Sequence, residues 1–149
     1  RRGRAGAADR GIGRATASAS RGRMMGMIAR HIFERWVAQA LDDLPDEFLA
    51  HLDNVEVVVE EWPDAVTLRR TGTGRPTDLL GFYHGVPQTR RTRGYNLVLP
   101  DKISLYQRPI ELRGRTPAEI RALIIRVLRH EIAHHFGIDD ARLEELGAY

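Results

Sequence analysis

Near the carboxyl end of this 149-residue chain stands His130-Glu131-Ile132-Ala133-His134, the group of side chains best suited to chemistry. On a helix, residues four apart share one face one turn apart, so the two imidazoles can reach a single metal ion. Glu131 is one step from the first histidine and three from the second. That sets its carboxylate beside a metal-bound water without making it a ligand, which is the place of a general base. Zinc lowers the pKa of a bound water toward ~7, and a neighbouring carboxylate can take its proton and later hand it to a leaving amine. The chain has no cysteine, so a thiol nucleophile and a Cys-based zinc finger are both excluded, and any metal must be held by His, Asp or Glu.

These residues need a helix to present them, and the sequence writes one. Thr116 is an N-cap, Pro117 suits the first helical position, and Glu119 closes a capping box three residues after the cap. Ile120, Leu123, Ile124, Val127 and Leu128 continue without a breaker to Gly137, about twenty residues or ~30 Å. Stepping 123, 127, 130, 134 follows one face, so His130 and His134 are expected to continue an apolar line and point inward. A tetrahedral catalytic zinc requires a third protein ligand. Gly137, able to take positive φ, is expected to end the helix and turn the chain so that Asp140 approaches the ion, with Asp139 and Glu144 as the alternatives.

Elsewhere the pattern predicts a first helix over 27–44, from the three- and four-residue spacing of Ile28, Ile32, Phe33, Trp36, Val37, Leu41 and Leu44. A short helical turn is expected over 46–52. Val55, Val57 and Val59 alternate with Glu56, Val58 and Glu60 as in a half-buried strand. Residues 71–77 read as a loop, 79–84 as a second strand, and 95–99 and 102–106 as two more around the Pro100-Asp101 turn. The expectation is an α+β domain: a small, mixed or mostly antiparallel four-stranded sheet packed with a long N-terminal helix and a central metal-binding helix.

Charge divides unevenly. The formal net charge is +3, yet residues 1–23 carry seven Arg against the single Asp9, a net of +6, so the remainder totals −3. A basic surface belonging to the fold is not required, and no specific nucleic acid is expected. Residues 1–23 hold one Ile as their only sizeable apolar side chain and are expected to stay disordered, leaving a single domain over 24–149. Their Arg- and Ser-rich, acid-poor composition also resembles a transit peptide, while Met24, Met25 and Met27 would suit a later start. No apolar run approaches the ~18–20 residues of a membrane helix, and no secretory h-region is visible, so a cytoplasmic protein without membrane contact is expected.

The full motif, His130-Glu131-x-x-His134-x-x-Gly137-x-x-Asp140, resembles the HExxHxxGxxD signature of zincin metallopeptidases. With Leu44-Pro45, Leu80-Gly81-Phe82-Tyr83-His84-Gly85-Val86-Pro87 and Leu99-Pro100-Asp101-Lys102-Ile103-Ser104-Leu105-Tyr106, the chain from about residue 33 onward is similar to small bacterial zincin-like metallopeptidases. The resemblance implies Zn2+ held by His130, His134 and Asp140, Glu131 as catalytic base, and a peptide or protein substrate. Two parts of a larger protease do not show: a Met-turn beneath the metal, since all three Met lie at 24–27, and a recognisable oxyanion donor among Tyr83, His84, Tyr106, His135 and Tyr149. Residues 95–99 or 102–106 are expected to form the edge strand along which an extended peptide pairs. Arg90, Arg91 and Arg93 read as a solvated loop that could select acidic substrates. Two other readings are a metal-binding regulatory module without turnover and, last, a metal-assisted ribonuclease.

Overall fold

The start of the long helix is fixed by local chemistry. In the computed structural model, which describes residues 27–49, 52, 54–86 and 101–137, Thr116 Oγ1 accepts from Glu119 N at 3.2 Å. Glu119 Oε2 in turn accepts from Arg115 N at 2.6 Å, one residue before the N-cap. Two otherwise orphaned amides are thereby satisfied. The helix runs over Pro117–His135, with Phe136 as C-cap and Gly137 at φ 76°. The amide of Gly137 donates to His134 O at 2.9 Å, so the expected left-handed glycine stop is present.

In chain order the elements are α1 (Arg30–Asp42), α2 (Asp46–Leu49), β1 (Val55–Glu60), α3 (Ala65–Thr71), a 3-10 turn (Pro76–Asp78), β2 (Gly81–His84), β3 (Asp101–Tyr106), α4 (Gln107–Arg113) and α5 (Pro117–His135). The sheet has the order β1-β3-β2; β1 runs parallel to β3, and β2 antiparallel to it. Three strands of a mixed sheet are therefore present among the described residues. The fourth expected strand, at 95–99, lies outside them, as do residues 1–23 and the Arg90, Arg91, Arg93 segment. β3 is hydrogen-bonded on both sides, so 102–106 cannot be the peptide-pairing edge; among the described residues β1 and β2 are the two margins.

α1 and α5 pack together on one face of the sheet. Phe33 and Val37 meet Ile120, Ile124, Leu128 and Ile132, with Val59, Ile103 and Leu105 beneath. Burying each such side chain contributes about 1.5–3 kcal/mol. The Arg121 guanidinium lies 4.7 Å from the Trp36 ring centroid and joins the two helices at their rim. Two helices lack a counterpart in the sequence reading, α3 and α4. Each has seven residues, too few for a helical apolar stripe to show, although Asp64 caps α3 by accepting from Thr67 N at 2.6 Å and Gly72 ends it at φ 67°. None of the described helices is long and apolar enough to cross a membrane.

The opposite sheet face is polar. Glu60 Oε1 accepts from Lys102 Nζ at 3.0 Å and from Ser104 Oγ at 2.8 Å. Tyr106 shares this face, fully buried, and its hydroxyl has no hydrogen-bond partner among the described residues. Burial, reinforced by the Glu60 charge, pushes that hydroxyl up to about 12. Tyr106→Phe removes an unsatisfied buried group and is expected to leave unfolding free energy unchanged or raise it by up to ~1 kcal/mol. The contribution of the parent tyrosine should be present below about pH 10 and fade as the pH rises toward 12, because the unfolded state loses its proton first. Urea denaturation of both proteins at pH 7 and at pH 10.5 measures this; a large loss on substitution at pH 7 would contradict it.

Candidate metal centre

His130 and His134 stand on successive turns of α5, and their Nε2 atoms are 2.9 Å apart. The ring centroids are separated by 4.5 Å with the planes at 83°. Two zinc–nitrogen bonds of about 2.0–2.1 Å at a tetrahedral angle set their nitrogens about 3.3 Å apart. A few tenths of an ångström of side-chain opening would therefore admit the ion, and both donors are the same ring nitrogen type. The residues present fit a zinc site in this respect. Asp140, with Asp139 and Glu144, lies outside the described residues, and among the described residues no group of three His, Asp or Glu that could hold a metal is formed.

The buried face of α5 is rotated from the one expected. It runs through Ile120, Ile124, Val127, Leu128, Glu131, Ile132 and His135, whereas His130 and His134 are half-buried at its margin. A ligand pair needs that margin, since a fully enclosed imidazole could not meet substrate. Glu131 turns inward, only 6% exposed, and shares with His130 a cleft of about 360 Å³ bounded by Leu80 and Gly81 at the start of β2. Gly81 is what lets α5 come so close. A Cβ there would stand 2.6 Å from Val127 Cγ1 and 3.2 Å from Glu131 Cγ. β2 thus runs alongside the helix that carries the imidazoles, with Tyr106 N donating to Leu80 O at 2.9 Å. Antiparallel alternation then turns the N–H and C=O of Gly81 and Tyr83 away from β3.

His135, expected as a packing or surface residue, is fully enclosed in a polar network. Its Nδ1 lies 3.1 Å from Asp101 Oδ2 and 3.2 Å from Tyr83 Oη. The Tyr83 hydroxyl donates to Asp101 Oδ2 at 2.7 Å and also lies 3.1 Å from Val86 O. An ionised carboxylate can only accept, so the Nδ1 facing it carries a proton. The network joins the end of α5, the start of β3 and the end of β2. Its sequence signals were the seven-residue step from Leu128 to His135 and the acidic residue opening a strand, both obscured because polar types do not announce an inward face.

The other residues weighed as oxyanion donors separate. Tyr83 is committed to this network, and Tyr106 lies on the far sheet face. His84 also lies there, its Nε2 3.0 Å from Ser104 Oγ, with burial first and the Lys102 ammonium second pushing its pKa below the ordinary histidine value. Tyr149 is outside the described residues.

A mixed sheet whose antiparallel margin strand runs beside a helix bearing two facing imidazoles and an inward glutamate is the architecture of a zincin-type domain. The family model described as zincin-like metallopeptidase matches residues 52–148, about two thirds of the chain, and the chain belongs to that family. The match starts at residue 52, so α1, included in the resemblance read from sequence, precedes it. No curated protein matches the chain.

Two substitutions test this arrangement. Asp101→Ala removes the carboxylate that a buried phenol and imidazole share and should destabilise the fold by about 3 kcal/mol in chemical denaturation, whereas Asp101→Asn should lose less. Gly81→Ala forces Val127 and the Glu131 side chain to shift, with an expected loss of about 1–3 kcal/mol; unchanged stability in either alanine variant would contradict the described packing.

Proposed function

We propose that the protein is a zinc-dependent peptidase. The observation that carries this reading is the 2.9 Å approach of the His130 and His134 Nε2 atoms beside a cleft into which Glu131 opens, in a chain of the zincin-like metallopeptidase family. His130 and His134 would hold the ion through Nε2, and Asp140 would complete the protein ligands after the Gly137 turn. Zinc bound there supplies a Lewis acid that lowers the pKa of water toward ~7 and polarises a carbonyl.

Glu131 accepts the proton of the attacking water and delivers it to the amide nitrogen as the C–N bond breaks. The margin of β2, with the Gly81 and Tyr83 main-chain groups turned away from β3, would bind an extended peptide by strand addition. That mode gives affinity without much side-chain selectivity, so selectivity must come from the cleft.

Glu131→Gln should retain zinc by elemental analysis and lose about 10²–10⁴-fold in kcat on a peptide library. His134→Ala should lose the metal itself. A Glu131→Gln protein as active as its parent would remove the mechanism, and a parent that binds zinc but cleaves nothing would favour the regulatory-module reading.

A further inference from the structure

Arg126 precedes His130 by four residues, so it projects from the same face of α5 one turn, about 6 Å, before the imidazole pair. Arg113, in the last turn of α4, lines the same cleft from the other side. Leu80 and Val127 make part of its wall apolar. Both arginines are exposed, and among the described residues neither forms an ion pair or hydrogen bond. Two carboxylates, Asp78 and Glu131, line the same cleft, and among the described residues neither forms an ion pair with Arg113 or Arg126. Glu119, on the adjoining groove, gives Oε2 to the Arg115 amide. Two guanidinium groups outside any ion pair among the described residues thus line one cleft beside an apolar wall, with Arg126 one helical turn before His130.

We propose that Arg113 and Arg126 form a carboxylate-recognition subsite, so that the peptides taken by this cleft carry an acidic group close to the bond to be cut. This rests on the peptidase reading above. Extended chain advances about 3.3 Å per residue, so the one-turn offset between positions 126 and 130 corresponds to a step of roughly two peptide residues along the cleft. A guanidinium offers a planar fork that matches a carboxylate with two parallel hydrogen bonds. The carboxylate could belong to an Asp or Glu side chain or to the peptide's own C-terminus; the chemistry is shared, and the test distinguishes them.

The probes are three sets of fluorescent hexapeptides, read by anisotropy on zinc-loaded Glu131→Gln protein, which would bind without cutting. One set carries a single aspartate scanned through each position with an amidated end, one has no acid but a free C-terminal carboxylate, and one is neutral and amidated. One of the acidic sets should bind at least about tenfold more tightly than the neutral set, with the margin shrinking as salt is raised. Which set wins identifies the source. Adding Arg113→Glu and Arg126→Glu should abolish that preference and favour a lysine-bearing peptide, an inversion that lost packing would not produce. If the double variant is unstable, Arg126→Glu alone, at an exposed helix position, should weaken the preference by at least about threefold. Equal binding of the three sets, or a preference that survives reversal, overturns the inference. Failure of the parent to hydrolyse any peptide would instead sink the peptidase reading while leaving this binding comparison intact.

Discussion

The constraint on which the site depends is the close seating of α5 on the sheet. A helix can present a metal-binding pair at its margin only if the neighbouring face is held firmly, and here that face buries Ile120, Ile124, Leu128 and Ile132 against α1 and the strands. At the β2 end the seating is possible because Gly81 has no side chain to hold Val127 and Glu131 away. The helix contributes three kinds of position within six residues: half-exposed imidazoles, an inward carboxylate, and an enclosed His135 that ties its end to the sheet. Helical geometry separates them by about 100° per residue, which allows one segment to line the cleft and anchor the helix together.

What could be read from sequence was what short-range chemistry determines. Thr116, Pro117 and Glu119 announced the start of α5, and Gly137 its stop, because caps and left-handed turns depend on a few neighbouring atoms. β1 was legible through alternating valines. The sheet order was not, since the pairing of β1 with β3 passes over β2 and depends on contacts far apart in sequence. Placing residues 102–106 at an edge failed for that reason.

The inward face of α5 was misjudged in an instructive way. Leu123 and Val127 suggested one line, but the deeply buried line contains Glu131 and His135, whose residue types argue for solvent. An apolar count cannot distinguish a carboxylate facing water from one enclosed beside a cleft. The facing of His130 and His134 was legible nevertheless, because it follows from spacing rather than polarity. α3 and α4 were missed because seven residues give a periodic signal little room, and tertiary packing, not propensity, stabilises them.

The Asp101–Tyr83–His135 network bears on which substitutions such a chain can accept. Asp101 and His135 are 3% and 0% exposed, and a Cβ on Gly85 would stand 2.5 Å from both Asp101 Oδ1 and Tyr83 Oη. A side chain at Gly85 would have to displace the Asp101 carboxylate and the Tyr83 hydroxyl. A change at one of these positions therefore disturbs the polar contacts of the others. The histidine that follows His134 is thus constrained by an aspartate more than thirty residues upstream rather than by the imidazole next to it.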